Sequence, residues 1–133
     1  MKTIANNKKA YRDYEILESF EAGVELKGSE VKSLRKLNGN IDDAFVRIER
    51  GGAILYNFNI PEYEKSSYFK VDPKRTRRLL LHKKEILRLA GLTARKGFTI
   101  VALSAYFNEK SMVKIKIYLS TKSWEGYILR SQT

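Results

Sequence analysis

At 133 residues, with 43% hydrophobic and 11% aromatic side chains, the chain holds enough apolar material for one packed domain and too much for a disordered one. The absence of cysteine excludes a disulfide framework and thiolate metal sites, and a single histidine excludes a His-rich metal centre. Lys and Arg number 26 against 15 Asp and Glu, a formal charge of +11 that exceeds what solubility asks of a small domain and points to a polyanionic partner.

No apolar run approaches the roughly 18 residues a membrane span needs. Residues Met1 to Lys9 are polar and basic with no leader-like apolar core, so the cytosol is the expected compartment. No segment joins a basic face to a broad apolar one, which favours nucleic acid over a membrane surface.

Taken in order, the chain opens with Lys2, Lys8, Lys9 and Arg12 among small polar residues. Tyr14, Ile16, Phe20 and Val24 then predict a long, curved strand with a bend at Ala22 and Gly23. Gly28 and Ser29 supply a turn and an N-cap, and Glu30 sits in the first turn where the helix dipole favours it. Val31, Leu34 and Leu37 recur at helical spacing, so a short helix over residues 29 to 38 is expected, with Lys32, Arg35 and Lys36 outward.

From Ile41 to Ile60 the period falls to two. Ala44, Val46 and Ile48, a turn at Gly51 and Gly52, and then Ile54, Tyr56, Phe58 and Ile60 predict a hairpin with one buried face. Pro61 ends it, and a polar connection follows in which Tyr63, Tyr68 and Phe69 are expected to anchor the loop.

The stretch Asp72 to Glu85 concentrates the charge. Pro73 opens a turn, and Lys74, Arg75, Arg77 and Arg78 place four cations with no acid among them. Leu79, Leu80 and Leu81 follow as a run that a core must hold. His82, Lys83, Lys84 and Glu85 then lead into a helix over residues 83 to 96, broken near Gly91 and closed by Gly97. Phe98 to Phe107 is a mostly apolar strand, Asn108 to Lys110 turns it, and Val113, Ile115, Ile117 and Leu119 alternate with Met112, Lys114, Lys116 and Tyr118.

About six mainly antiparallel strands and short helices without a βαβ rhythm point to a closed barrel or a sandwich, and an OB-like barrel suits the size. Catalytic chemistry is missing. Asp42 and Asp43 are adjacent, so on a strand they face opposite ways. There is no Gly-rich phosphate loop or nucleophile elbow, and nothing places a substrate between Glu21 and Glu30. A binding protein with no metal or cofactor is expected, not an enzyme.

Three blocks resemble the small protein B family of SsrA-binding proteins. They are Asn7, Lys8, Lys9, Ala10 with Arg12, Asp13 and Tyr14; Phe20 to Gly23 with Leu26, Gly28 and Glu30 to Arg35; and Asp72, Pro73, Arg75, Arg77, Leu79 to Lys83, Glu85 and Ile86. Tyr106, Phe107, Val113, Lys114 and Ile117 extend the match across roughly residues 5 to 119. The resemblance implies an OB-like closed antiparallel β-barrel with flanking α-helices. It implies binding of the tRNA-like domain of transfer-messenger RNA and delivery of its alanyl-charged form, with elongation factor Tu, to stalled ribosomes. A ribosomal or translation-factor OB module seated on rRNA is the alternative.

The resemblance marks Asn7, Glu21, Leu80 and His82 as RNA-facing, with Lys8, Lys9, Arg12, Lys74, Arg75 and Arg77 on phosphates. Tyr14, Lys32, Arg35, Arg78 and Lys83 complete the expected RNA-binding set, in a monomer. The cations near the N-terminus and those after Pro73 are expected side by side as one docking surface. Leu80 has a core alternative, and Glu21 has a structural ion pair as its alternative.

Residues 1–119 are thus expected to form the RNA-binding domain, and residues 120–133 to depart from the long Gly-Lys-Lys-led basic tail of the family, with only Lys122 and Arg130 positive. A chain with this ending is predicted to bind transfer-messenger RNA yet support little or no tagging. Comparing its tagging with that of a version bearing a basic tail checks this, and equal activity refutes it.

Overall fold

The computed structural model describes residues 1–63, 71–95 and 97–122; Tyr68, Phe69 and the ending 123–133 lie outside them. In chain order the elements are β1 (Lys2–Asn6), α1 (Lys8–Asp13), β2 (Tyr14–Val24), α2 (Gly28–Arg35), β3 (Phe45–Glu49), β4 (Gly52–Tyr56), β5 (Arg77–Leu80), α3 (Lys83–Thr93), β6 (Phe98–Phe107) and β7 (Val113–Lys122). The protein is mainly β with a few short helices.

Among the described residues every strand pairing is antiparallel, and β2 is the spine. It pairs with β7 from Tyr14↔Lys122 to Gly23↔Lys114, and its far end also takes β5 through Gly23↔Leu80 and Val24↔Leu79. From there β5 pairs with β4, β4 with β3, β3 with β6, and β6 with β7. β1 extends the edge of β6 beyond β3, through Lys2↔Phe107 to Asn6↔Ser104. This strand, with α1 behind it, is an addition to the elements expected from the pattern.

The core follows the alternation. Val113, Ile115, Ile117 and Leu119 of β7 are all buried, with Phe20 and Ala22 of β2, Leu79 of β5, Ala53 and Leu55 of β4, and Leu34 and Leu89 from the helices. β6 is nearly continuous in its burial because it is covered twice. Ile100, Ala102 and Ala105 face the main core, while Val101 and Leu103 pack outward against Ala10 of α1.

Five local expectations change. Gly23 stays in register, and the irregularity of β2 falls between Ile16 and Glu18, leaving Leu17 exposed. Gly23 instead permits a close cross-strand approach, since a Cβ there would stand 3.3 Å from the Leu80 Cβ. The hairpin turn uses Arg50 (φ 49) and Gly51 (φ 75), one residue earlier than expected. Asn57, at φ 63, shifts the parity: Ala53 and Leu55 are buried before it and Phe58 and Ile60 after it, so Ile54 and Tyr56 fall on the other face. Finally, α2 ends at Arg35, and α3 runs unbroken through Gly91 to Thr93.

A buried ion pair joins α2 to β5. Arg77 is 1% exposed and Glu30 4%. Arg77 Nε and Nη2 donate to Glu30 Oε2 at 2.8 and 2.6 Å, while Nη2 also reaches Pro73 O at 3.0 Å and Nη1 reaches Arg75 O at 3.1 Å and Phe58 O. All the N–H donors of the guanidinium are therefore occupied. Arg75 adds Nη2 to Glu30 Oε1 at 2.5 Å and Nε to Oε2 at 3.1 Å, and the Lys27 N–H donates to Oε1 at 2.9 Å.

Burial alone would push the Glu30 carboxyl up, but the hydrogen bonds from Arg75, Lys27 and Arg77 outweigh it and hold the group below its ordinary value. Arg77 is lowered by its burial, against the pull of Glu30. Removing one member of such a pair strands a buried charge, so Glu30→Ala is predicted to lose about 3–5 kcal/mol in urea unfolding. A loss under about 1 kcal/mol would make the pair dispensable. Because the folded carboxyl is depressed, its contribution is full above the ordinary Glu value of about 4.3 and is lost as pH falls through the folded value. The stability gap between the wild type and Glu30→Gln is therefore predicted to shrink on acidification.

Candidate nucleic-acid interface

Residues that alternate with the core on β5, β2, β7 and β6 make one outward wall. Glu21 stands opposite Lys116, and Gly23 stands opposite both Lys114 and Leu80. On the other side of β7, Lys114 is opposite Tyr106 and Lys116 is opposite Ser104. Directly opposed residues share a face at about 4.5–5.5 Å between Cβ atoms. An exposed leucine, a carboxylate and two ammonium groups are thus neighbours although they come from distant parts of the sequence.

The Tyr106 hydroxyl crosses β7 to donate a hydrogen bond to Glu21 Oε2. Its pKa is pushed up to about 12 by burial and by the Glu21 carboxylate, so the phenol keeps its proton and holds the carboxylate on this wall. The ion-pair alternative for Glu21 is thereby replaced by a tyrosine partner. Leu80 is 52% exposed, which removes its core alternative: β5 alternates, so Arg77 and Leu79 point in while Arg78 and Leu80 point out. Beside Leu80 a cavity of about 290 Å³ is lined by Val24, Leu26, Val31, Met112 and Lys114 among others. The Lys116 ammonium lies 6.0 Å from the Tyr118 ring.

α1 is clamped to the same side. Asn7 caps it, its Oδ1 accepting the Ala10 N–H at 3.2 Å. The amide Nδ2 donates to Ala102 O at 3.0 Å, and the Asn7 N–H donates to Leu103 O at 2.7 Å. Asn7, expected to face RNA, is buried with both polar ends of its side chain engaged within the protein, and it fastens α1 to β6. Tyr14 packs with Tyr118 against Ala10, Val101 and Leu103, an anchoring position. What α1 presents outward is Lys8, Lys9 and Arg12, with Lys9 3.7 Å from Asp43 and Arg12 bonded to Asp13.

The remaining expected residues divide. Arg77, expected on phosphate, is buried and fully engaged, and Arg75 is drawn into the same Glu30 network with 27% of its side chain exposed. Lys74, Arg78, His82 and Lys83 are exposed; His82 is the N-cap of α3 and its N–H donates to Glu85 Oε1 at 3.0 Å. Lys32 and Arg35 are exposed on α2, with Lys32 5.9 Å from the Tyr63 ring.

The two cationic segments are not simply side by side. α1 runs into the Tyr14 end of β2, whereas β5 pairs at the Gly23 end, and at about 3.3 Å per residue those ends are roughly 30 Å apart. Lys114, opposite Gly23, stands at the β5 end of this wall, and Lys116, opposite Glu21, stands two residues nearer to α1. Their period-two alternation with Val113, Ile115 and Ile117 marked them as outward, but only pairing with β2 puts them beside Glu21. Replacing Asn7 by Ala removes a cap and leaves Ala102 O without its donor, for a predicted cost of about 2 kcal/mol. Faster amide exchange in α1 would accompany it, and unchanged stability and exchange would show that Asn7 fastens nothing.

Comparison with known proteins converges on one family. A family model described as SmpB protein matches residues 4–125. An SsrA-binding protein of Thermosipho africanus is 53% identical over 117 residues, covering 88% of this chain and 78% of the relative. The SsrA-binding protein of Thermosipho melanesiensis is 54% identical over 117 residues, covering 88% and 80%. A solved chain described under "tmRNA-SmpB: a journey to the center of the bacterial ribosome" superposes with a TM-score of 0.72 at 49% identity, covering 87% of this chain and 81% of that one.

Proposed function

Because the chain belongs to the SmpB family, we propose that it binds the tRNA-like domain of transfer-messenger RNA and takes it to stalled ribosomes in trans-translation. It is an RNA-binding protein and not an enzyme. The observation that carries this reading is the single outward wall on which Leu80, Glu21, Lys114 and Lys116 meet, with the cations of α1 at one end and Arg78 at the other.

Folded RNA offers such a wall dense phosphate beside unpaired bases. Lysines and arginines position the phosphates, a fixed carboxylate accepts from base edges, and an exposed leucine packs against a base face. Elongation factor Tu with alanyl-charged RNA follows as the further partner, and the bacterial cytoplasm, where ribosomes work, as the compartment. One chain supplies the whole wall, in keeping with a monomer. The succession β2–β5–β4–β3–β6–β7, which returns to β2, supports an OB-like closed barrel as the scaffold.

The test titrates a labelled tRNA-like fragment of transfer-messenger RNA against Lys114→Glu/Lys116→Glu. Both side chains leave the core side of β7 untouched, so folding is expected to survive, as circular dichroism will verify. Affinity is predicted to fall roughly tenfold or more at low salt, and the slope of log affinity against log salt to flatten by about two units. Unchanged affinity and slope would remove the wall from RNA binding.

A further inference from the structure

The hairpin β3–β4 carries a second outward face, which meets the wall above at Arg78. Phe45 and Tyr56 are direct cross-strand partners, and their rings stack with centroids 5.1 Å apart and planes within 4° of parallel. Arg47, the next outward residue on β3, holds its guanidinium 5.5 Å from the Phe45 centroid and 5.7 Å from the Tyr56 centroid. Arg47 is opposite Ile54, and Ile54 is opposite Arg78, so an outward row crosses three strands. Arg50 is exposed at the hairpin turn. The carboxylate in this group, Glu49, accepts the Tyr56 hydroxyl at 2.6 Å.

Parallel planes with centroids 5.1 Å apart are an offset stack, which aromatic rings favour, and a guanidinium reaches both members of it. A guanidinium is planar and weakly hydrated and stacks on flat π systems. Arg47, Arg50 and Arg78 leave the surroundings positive even with Glu49 present. Flat π surface bordered by fixed cations complements an unpaired base with a phosphate on either side, whereas an acidic peptide would engage the charge and leave the plane unused.

We infer that Phe45, Tyr56 and Arg47 form a stacking platform for an unpaired base of single-stranded RNA, with Arg50 and Arg78 on adjacent phosphates. β4 pairs with β5 and β3 with β6, so the platform adjoins the wall and shares Arg78 with it, while Phe45, Tyr56 and Arg47 stand apart from the Glu21, Lys114 and Lys116 of β2 and β7.

The test measures anisotropy of three labelled probes: a single-stranded RNA decamer, the same decamer as a duplex, and a decamer of aspartate. Arg47→Ala/Tyr56→Ala is expected to weaken the single strand roughly tenfold, the worth of one stacked base, and to leave the duplex little changed. Arg47→Lys keeps the charge and loses the plane; it is expected to weaken the single strand several-fold and to leave oligoaspartate as in wild type. If Arg47→Lys binds RNA as wild type does, or if oligoaspartate suffers equal losses, only charge is at work and the platform is overturned. Should the tRNA-like fragment fail to bind while the decamer shows these losses, the proposed function falls and the platform stands.

Discussion

The Glu30 carboxylate, buried with Arg77 and gripped by Arg75, is the interaction on which the rest of the structure depends. An unpaired charge in that position would be severely penalised, so α2, the turn after Pro73, the segment around Phe58 and the start of β5 are locked into one arrangement. The lock decides where β5 meets β2, and hence which residue faces Gly23. Leu80 is presented because Arg77, three residues earlier, is held inward. The same lock takes two arginines out of the cationic cluster, so the charge available to a partner is smaller than the formal excess of the chain.

Strand β2 turns that local lock into a surface. Eleven residues long, it pairs with β7 along its length and with β5 at its end, and it therefore carries α1 at one extremity and Leu80 at the other. β7 adds Lys114 and Lys116 toward the Leu80 end. The buried polar groups bordering this surface serve geometry: Asn7 holds α1 to β6, and Tyr106 holds the Glu21 carboxylate. Asn7 and Tyr106 thus serve as supports, and Lys114 and Lys116 stand beside the supported carboxylate on the outward row of β7.

The division between the wall and the hairpin platform follows from the pleat. Each strand shows one row inward and one row outward, and strand order decides which outward rows are neighbours. Glu21, Lys114 and Lys116 come together because β2 and β7 pair; Phe45, Tyr56 and Arg47 come together because β3 and β4 pair. The two groups are kept apart by β5 and β6.

Much was legible in the residues alone. The alternation in β7, the apolar run of β6, the start of α3 and the hairpin at Gly51 were determined by local physics, because burial period and turn chemistry are short-range. The family resemblance was legible too, as was the polyanionic partner implied by charge. What only the tertiary structure decided concerns pairing at a distance. Nothing local distinguishes Arg77 from Arg78; a buried acid from α2 does, 47 residues away. Nothing local shows that Asn7 is consumed by Ala102, that Asn57 reverses the parity of its strand, or that Lys116 lies beside Glu21. Side-chain roles of that kind are set by which groups lose water together, and that is a property of the folded contacts and not of the sequence neighbourhood.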